Sequence, residues 1–177
     1  GLGFTLAAAL RYLGRDGEAV VAEIVPAVVK WNRETVGDVA GQPLKDKRVT
    51  VREDDVGKLI RAEKDAYDTI LLDVDNGPDG LLRDGNVGIY TPTGLRAIYQ
   101  ALRPRGVLGV WSVGPCRAFT YRLRRAGFFV EEVPARIREG RGGRRHMLWI
   151  ATRLKEEVAP PPPPPKRVAR KRSKWAT

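Results

Sequence analysis

The chain has 177 residues, 42% of them hydrophobic, which suits one globular domain with its own core. It contains one cysteine and one histidine, which excludes an internal disulfide and argues against a His/Cys zinc site. No apolar run approaches the roughly 20 residues that span a bilayer, and no segment resembles a signal peptide. We therefore expect a soluble, cytoplasmic protein.

The net charge of +11 is distributed unevenly along the chain. Residues 159–177 contain six basic residues and no acid, which leaves 26 basic and 21 acidic residues elsewhere. Six consecutive prolines at 160–165 predict a stiff polyproline spacer before a disordered basic end. We therefore divide the chain into a folded domain, 1–157, and a proline-rich basic tail, 158–177, able to make nonspecific electrostatic contact with nucleic acid.

The chain begins with a glycine-rich turn, Gly1-Leu2-Gly3. Leucines spaced by four and three residues predict a helix over 5–13, and a short apolar strand over 19–22 ends at Glu23. Such a turn is normally the exit from a buried strand, so we expect a strand before Gly1 and interpret the first strand of the sheet as truncated. A helix is predicted over 26–33, with Pro26 in its first turn.

Strands and helices alternate along the remainder of the domain, a pattern typical of a mainly parallel sheet covered by helices on both faces. The last two predicted strands form an antiparallel pair around an Arg/Gly-rich loop. Residues 37–47 are predicted to be a polar connection. Strands are predicted at 48–52, 67–73, 107–112, 128–133 and 147–151, and helices at 56–62, 91–102 and 118–125.

The glycine turn and Glu23 together indicate a pocket for a nucleotide-type cofactor. Glycines allow the backbone to approach the ligand, and a carboxylate at the tip of the next strand accepts hydrogen bonds from ribose hydroxyls. These residues alone do not separate a dinucleotide enzyme from an S-adenosylmethionine enzyme.

Residues later in the chain complete a pattern that resembles a known family. Asp54 follows the third predicted strand, Asp73 ends the fourth, and Tyr90-Thr91 precedes the segment 101–107. With the glycine turn and Glu23, this pattern resembles the class I S-adenosylmethionine-binding fold, and within it the spermidine synthase family of polyamine aminopropyltransferases. The resemblance covers residues 1–152 and implies a three-layer, Rossmann-like methyltransferase fold, mostly parallel with an antiparallel C-terminal strand. It also implies decarboxylated S-adenosylmethionine as the donor, a di- or polyamine acceptor, and a homo-oligomer.

The resemblance also implies roles for individual residues. Gly1 and Gly3 would lie under the donor, while Glu23 would hold its ribose. Asp54 would contact the adenine amino group, and Asp73 would act as the base beside the reacting amine. The family usually has Asp, a small hydroxyl residue, a variable residue and then Asp-Pro; here the sequence after Asp73 is Val-Asp-Asn-Gly-Pro, with the second carboxylate displaced by one position.

Acidic residues cluster after Asp73, in a chain that is otherwise basic. Asp75 and Asp79, with Asp84 nearby, would attract a cationic amine by electrostatic focusing, and Tyr90 would line the amine site. The alternatives are a solvated acidic turn for the aspartates and packing under a loop for Tyr90.

Other distinctive side chains are assigned structural roles. Trp111 is predicted to lie in the core, Cys116 to be a small semi-buried residue, and His146, beside Arg144 and Arg145, to lie at the surface.

Two other functions remain compatible with the sequence. One is an S-adenosylmethionine-dependent methyltransferase that uses the same glycines, Glu23 and Asp54 with the intact donor. The other is a non-catalytic module of the same fold whose basic tail binds nucleic acid or another acidic partner. No metal is implied in any of these cases.

Overall fold

The structure, a computed structural model, describes residues 1–73, 87–136 and 145–154. In these residues, five α-helices and six β-strands alternate along most of the sequence, as predicted. The helices are α1 (Phe4–Leu10), α2 (Pro26–Glu34), α3 (Val56–Arg61), α4 (Pro92–Ala101) and α5 (Arg117–Arg125). The strands are β1 (Ala19–Ala22), β2 (Val49–Arg52), β3 (Tyr67–Leu72), β4 (Leu102–Ser112), β5 (Phe128–Arg136) and β6 (Arg145–Arg153). Within the described ranges, no helix is both long and apolar enough to cross a membrane.

The six strands form two sheets. In the first sheet, β1 pairs in parallel with β2. The second has the order β3-β4-β6-β5, in which β3 and β4 are parallel and β6 is antiparallel to both β4 and β5. The predicted α/β class, with a mostly parallel arrangement and an antiparallel C-terminal strand, is confirmed.

The hydrophobic core lies between the four-stranded sheet and the helices on one of its faces. Leu95 and Ile98 of α4 and Phe119 of α5 are fully buried. The Phe119 ring meets the Trp149 ring of β6 edge-on, with 5.0 Å between centroids, an arrangement that aromatic pairs favour. The core therefore orients α4 and α5 relative to the carboxyl ends of β3 and β4.

Local signals in the sequence explain where α4 begins. The Thr91 hydroxyl accepts a hydrogen bond from the Gly94 amide at 3.1 Å, and Pro92 occupies the first turn. A Cβ on Gly94 would lie 2.2 Å from the Gly88 carbonyl oxygen, so only glycine allows the preceding 3₁₀ helix (Val87–Tyr90) to pack this closely. The predicted cap is confirmed.

Several boundaries differ from the prediction. Helix α1 ends at Leu10 and not at 13, and residues 37–47 include two short 3₁₀ helices, Gly37–Ala40 and Pro43–Lys45. Strand β4 begins at Leu102 instead of 107, because Leu102 already pairs with Tyr67 of β3 before the register shifts.

The prediction for His146 was wrong. Its side chain is 5% exposed and its ring stacks on Trp111, with 4.9 Å between centroids. The local sequence is rich in arginine, but strand pairing places His146 opposite Ala135 and brings it to the Trp111 ring. Trp111 is half-buried, so its predicted place in the core holds only in part, whereas Cys116 is buried and caps α5.

Candidate functional site

The glycine turn adopts a backbone conformation that depends on glycine. Gly3 precedes α1 with φ of 83°, in the left-handed region. A Cβ at this position would lie 3.0 Å from the Pro43 side chain. The turn is also held by Asn32, whose amide nitrogen donates to the Gly1 carbonyl at 2.8 Å and to the Val28 carbonyl at 2.9 Å.

Asn32 is a residue that sequence reasoning missed. Its side chain is buried although it lies within α2, on the same side as the buried Val29. A buried amide normally needs hydrogen-bond partners, so a polar residue in the apolar stripe of α2 was the available signal. Its carbonyl oxygen accepts no hydrogen bond from the residues that the structure describes.

Glu23 lies at the carboxyl end of β1, beside the glycine turn. One carboxylate oxygen accepts from the Val25 amide at 3.0 Å, and the other lies 3.1 Å from the Gly1 amino group. The side chain is 20% exposed. The glycine turn and Glu23, which the sequence pattern assigned to the same cofactor pocket, are therefore in contact.

Asp73 follows β3 and contacts the same turn. The Thr5 hydroxyl donates to an Asp73 carboxylate oxygen at 2.7 Å, although 68 residues separate the two in sequence. The segment from Gly1 to Thr5 therefore touches Glu23 at one end and Asp73 at the other. Thr5 was not singled out from the sequence, because nothing in its neighbourhood indicates a distant partner.

Tyr90 lies close enough to Asp73 for the charge of that carboxylate to act on it. Its ring is buried and meets Phe119 edge-on at 5.6 Å. Burial, together with the negative charge of Asp73, raises the pKa of Tyr90 to about 12. The hydroxyl is therefore protonated at neutral pH, and among the described residues it has no hydrogen-bond partner. A buried donor of this kind suits a ligand or an ordered water.

Asp54 occupies the carboxyl end of β2, the strand next to β1. The Lys58 ammonium donates to it at 2.8 Å and the Asp55 amide at 2.8 Å. These hydrogen bonds, that of Lys58 first, hold the pKa of Asp54 below its usual value. Asp55 instead caps α3 by accepting from the Lys58 amide at 2.7 Å, so Asp54 is the better placed of the two to meet a ligand.

The structure thus places Glu23, Asp54 and Asp73 at the carboxyl ends of β1, β2 and β3. Gly1 and Gly3 lie in the turn that contacts Glu23 and Asp73. Tyr90 joins them from the segment before α4. Asp75 and Asp79 lie outside the described residues, as does Asp84. Across residues 1–73, 87–136 and 145–154, no three His, Cys, Asp or Glu side chains are grouped so that they could hold a metal.

A different part of the first sheet carries a basic depression lined by Arg15, Asp46, Lys47 and Arg48. It lies at the amino end of β2, whereas parallel α/β sheets bind ligands at their carboxyl ends. Arg48 there donates to the Leu10 carbonyl at 3.2 Å and to the Leu13 carbonyl at 2.7 Å. This region holds α1 against the sheet and is not the candidate site.

Solved structures support the fold. A spermidine synthase in complex with the transition-state analogue AdoDATO matches with a TM-score of 0.69 and 19% identity, over 89% of this chain and 53% of that one. The chain has the Rossmann-like methyltransferase fold. Spermidine synthase from Thermotoga maritima matches with a TM-score of 0.64 and 16% identity, over 89% of this chain and 52% of that one.

A methyltransferase also matches. Human methyltransferase-like protein 13 in complex with SAH gives a TM-score of 0.60 and 20% identity, over 90% of this chain and 72% of that one. No family model matches the sequence, and no curated protein does. The chain spans about half the length of the two spermidine synthases. These likenesses establish the fold, which spermidine synthases share with a methyltransferase-like protein.

Proposed function

We propose that the protein is a transferase that moves an aminopropyl group from decarboxylated S-adenosylmethionine to a di- or polyamine. The observation that carries the proposal is the shared turn: Thr5 bonds Asp73 at 2.7 Å, while Gly1 lies 3.1 Å from Glu23. A carboxylate suited to a ribose and a carboxylate suited to an amine therefore flank one glycine-containing turn.

The proposed donor site consists of the glycine turn, Glu23 and Asp54. Glu23 accepts hydrogen bonds from the ribose hydroxyls, and Asp54 accepts one from the adenine amino group. Gly1 and Gly3 let the backbone lie against the donor. Gly3 also permits the left-handed φ of 83° beside Pro43 that shapes the turn. The donor carries a sulfonium, and the acidic edge of the first sheet stabilises its positive charge.

Asp73 is the proposed base. The acceptor must attack as a neutral amine, so its nitrogen loses a proton to the Asp73 carboxylate. The nitrogen lone pair then forms a bond to the propyl carbon next to sulfur, while the carbon–sulfur bond breaks and its electron pair leaves with the neutral thioether. Tyr90, protonated and buried beside Asp73, supplies a hydrogen-bond donor that helps hold the carboxylate or the acceptor in place. Asp75 and Asp79 are proposed to attract the remaining charges of the amine.

Methyl transfer is the second candidate. The displaced carboxylate after Asp73 departs from the spermidine synthase pattern, and a methyltransferase with bound SAH has the same fold. Methyl transfer would use the same glycines, Glu23 and Asp54 with the carboxylated donor. Homo-oligomer assembly and a cytoplasmic location stay predictions under both functions.

Calorimetric titration with both donors tests the proposal. We expect decarboxylated S-adenosylmethionine to bind more tightly than S-adenosylmethionine, and Glu23→Gln to weaken binding at least tenfold because the ribose loses its charged acceptor. Glu34→Gln, an exposed acid of α2, serves as the matched control. Preference for the carboxylated donor would favour methyl transfer, and no binding of either donor would overturn both functions.

A further inference from the structure

We propose that the solvent-facing side of α5 is a docking surface for a nucleic acid, separate from the acidic donor edge. This inference goes beyond the proposed function and does not depend on it. It rests on the composition of one helix face, on the lack of ion pairs between its arginines and the other described residues, and on the place where the helix begins.

The exposed face of α5 is rich in arginine. Phe119, Thr120 and Leu123 are buried on one side, and successive residues of a helix are rotated by about 100°. Arg117, Ala118, Arg124 and Arg125 are exposed on the opposite side, while Tyr121 and Arg122 are half-buried. No acid occurs in this helix, whereas a soluble surface usually mixes both signs of charge.

The arginines of α5 differ from the cations of other helices. In α2, Lys30 lies 3.9 Å from Glu34, and in α3, Lys58 lies 2.8 Å from Asp54. Within the described part of the chain, none of the four arginines of α5 forms an ion pair. Glu132 contacts the helix, but through Thr120 on its buried side.

The helix dipole does not explain why all four arginines occur in α5. Cations are favourable in the last turn of a helix, where Arg122, Arg124 and Arg125 lie, because carbonyl groups point outward there. Arg117 lies in the first turn, where the same dipole disfavours a cation. A nucleic acid bound along the whole length of α5 explains why arginines occur in both the first and the last turn of the helix.

One aromatic contact adds a feature that suits nucleic acids. The Arg125 guanidinium lies over the ring of the half-buried Tyr121 at 5.9 Å. Arginine guanidinium planes next to aromatic rings form platforms on which bases stack, and they also bind phosphates. Nine residues of helix rise about 13 Å, enough for several phosphates of an extended strand.

The start of α5 lies at the same edge of the sheet as Asp73. β3 and β4 are parallel, so their carboxyl ends meet at one edge of the four-stranded sheet. Arg117 follows β4 at that edge, whereas Asp73 follows β3. Arg117 and Asp73 therefore mark a basic and an acidic part of the same edge.

Fluorescence anisotropy with a labelled 20-nucleotide polyuridine RNA tests the proposal, using the full chain from 50 to 200 mM KCl. The triple variant Arg117→Gln/Arg124→Gln/Arg125→Gln should bind at least tenfold more weakly. The slope of log Kd against log salt should fall by about 2, since each contact to a single strand contributes about 0.7. The matched control is Arg11→Gln/Arg15→Gln/Arg33→Gln, which removes the same charge from exposed positions around α1 and α2 and should change the affinity less than threefold.

The proposal would be overturned by the absence of RNA binding to the full chain or by equal losses in the two triple variants. Complete loss on deletion of residues 159–177, while the α5 variant binds as the parent does, would overturn it as well. Polyglutamate that competes as well as RNA would also overturn it, since the surface would then bind any polyanion. Donor titration separates this result from the proposed function, because the α5 variant should keep the parent's donor affinity whether or not aminopropyl transfer occurs. A melting temperature equal to that of the parent verifies that the variant is folded.

Discussion

At the residue scale, Asp73 interacts with two residues, Thr5 and Tyr90, that the sequence pattern did not connect with each other. It ends a strand, as its position predicted, but its orientation depends on the hydroxyl of Thr5, 68 residues away. It also raises the pKa of Tyr90 through its charge. The proposed reactive part of the site therefore consists of groups from α1, from the end of β3 and from the segment before α4.

Replacement of Asp73 tests its role as the base. Asp73→Asn should lower turnover by about 10²- to 10⁴-fold, the usual contribution of a general base, and leave donor affinity within a few-fold. Asp68→Asn is the matched control, since Asp68 lies in the same strand, is exposed and pairs with Arg103. The measurement is transfer of a labelled aminopropyl group to a panel of amines. Equal activity of the two variants would remove Asp73 from the mechanism.

Tyr90 should act as a protonated donor across the ordinary pH range. Because the pKa of Tyr90 is raised to about 12, the activity should show no tyrosine ionisation between pH 7 and 10. Tyr90→Phe removes a buried hydroxyl that has no partner among the described residues, so the protein should be as stable as the parent or slightly more stable. Its turnover should nevertheless fall about tenfold. A large loss of stability would indicate a structural hydrogen bond instead.

At the element scale, α1 is held at both ends. The glycine turn precedes its first residue, and Arg48, just before β2, contacts its last turn. Gly3 has a left-handed backbone next to Pro43, and Arg48 donates to carbonyls at the end of α1. Sequence reasoning identified the turn from its glycines, because a positive φ has a strong compositional signal. It did not identify Arg48, whose partners are backbone atoms without any sequence signal.

Gly3→Ala should damage both stability and donor binding. An alanine in the left-handed region costs about 1–2 kcal/mol, and its Cβ would press on Pro43 at 3.0 Å. Urea denaturation measures the first effect and calorimetry the second. Gly14→Ala is the control, because a Cβ there meets nothing within 4 Å and should leave both quantities nearly unchanged.

Acid titration should reveal the Asp46–Arg48 pair. The hydrogen bonds from Arg48 lower the pKa of Asp46 to about 2, below an unfolded value of about 3.9. The stabilisation is therefore complete above pH 4 and is lost as the pH falls toward 2. NMR titration of the Asp46 carboxyl should give a midpoint of about 2, and Asp46→Asn should remove part of the acid dependence of unfolding. A midpoint near the unfolded value would contradict the pairing.

At the scale of the whole molecule, the two sheets are held together through contacts rather than through strand pairing. Among the described residues, β1 pairs only with β2 and β3 only with β4. Val20 of β1 and Leu71 of β3 are each about half exposed, at 48% and 50%. The turn that contacts both Glu23 and Asp73 is placed where an added strand could reach the free edges of β1 and β3.

A strand supplied at this position should stabilise the fold. Five valine or isoleucine residues fused before Gly1 are expected to pair in parallel with β1 and β3, and each backbone hydrogen bond gained contributes about 0.5–1.5 kcal/mol. We expect a higher melting temperature and tighter donor binding. The control is a fused Gly/Ser segment of equal length, which lacks apolar side chains to bury. Equal melting temperatures for the two fusions would show that no strand binds there.

The sequence by itself determined the alternation of strands and helices, the N-terminal cap of α4, the glycine turn, and the acids that follow β1 and β3. These features depend on periodicity, on φ preferences and on capping, all of which act within a few residues. Only the tertiary structure decided that Thr5 bonds Asp73, that Asn32 holds Gly1 and that His146 is buried against Trp111. Such contacts join residues that are 31 to 68 positions apart in the first two cases, and they arise from how the strands and helices pack, which local composition does not encode.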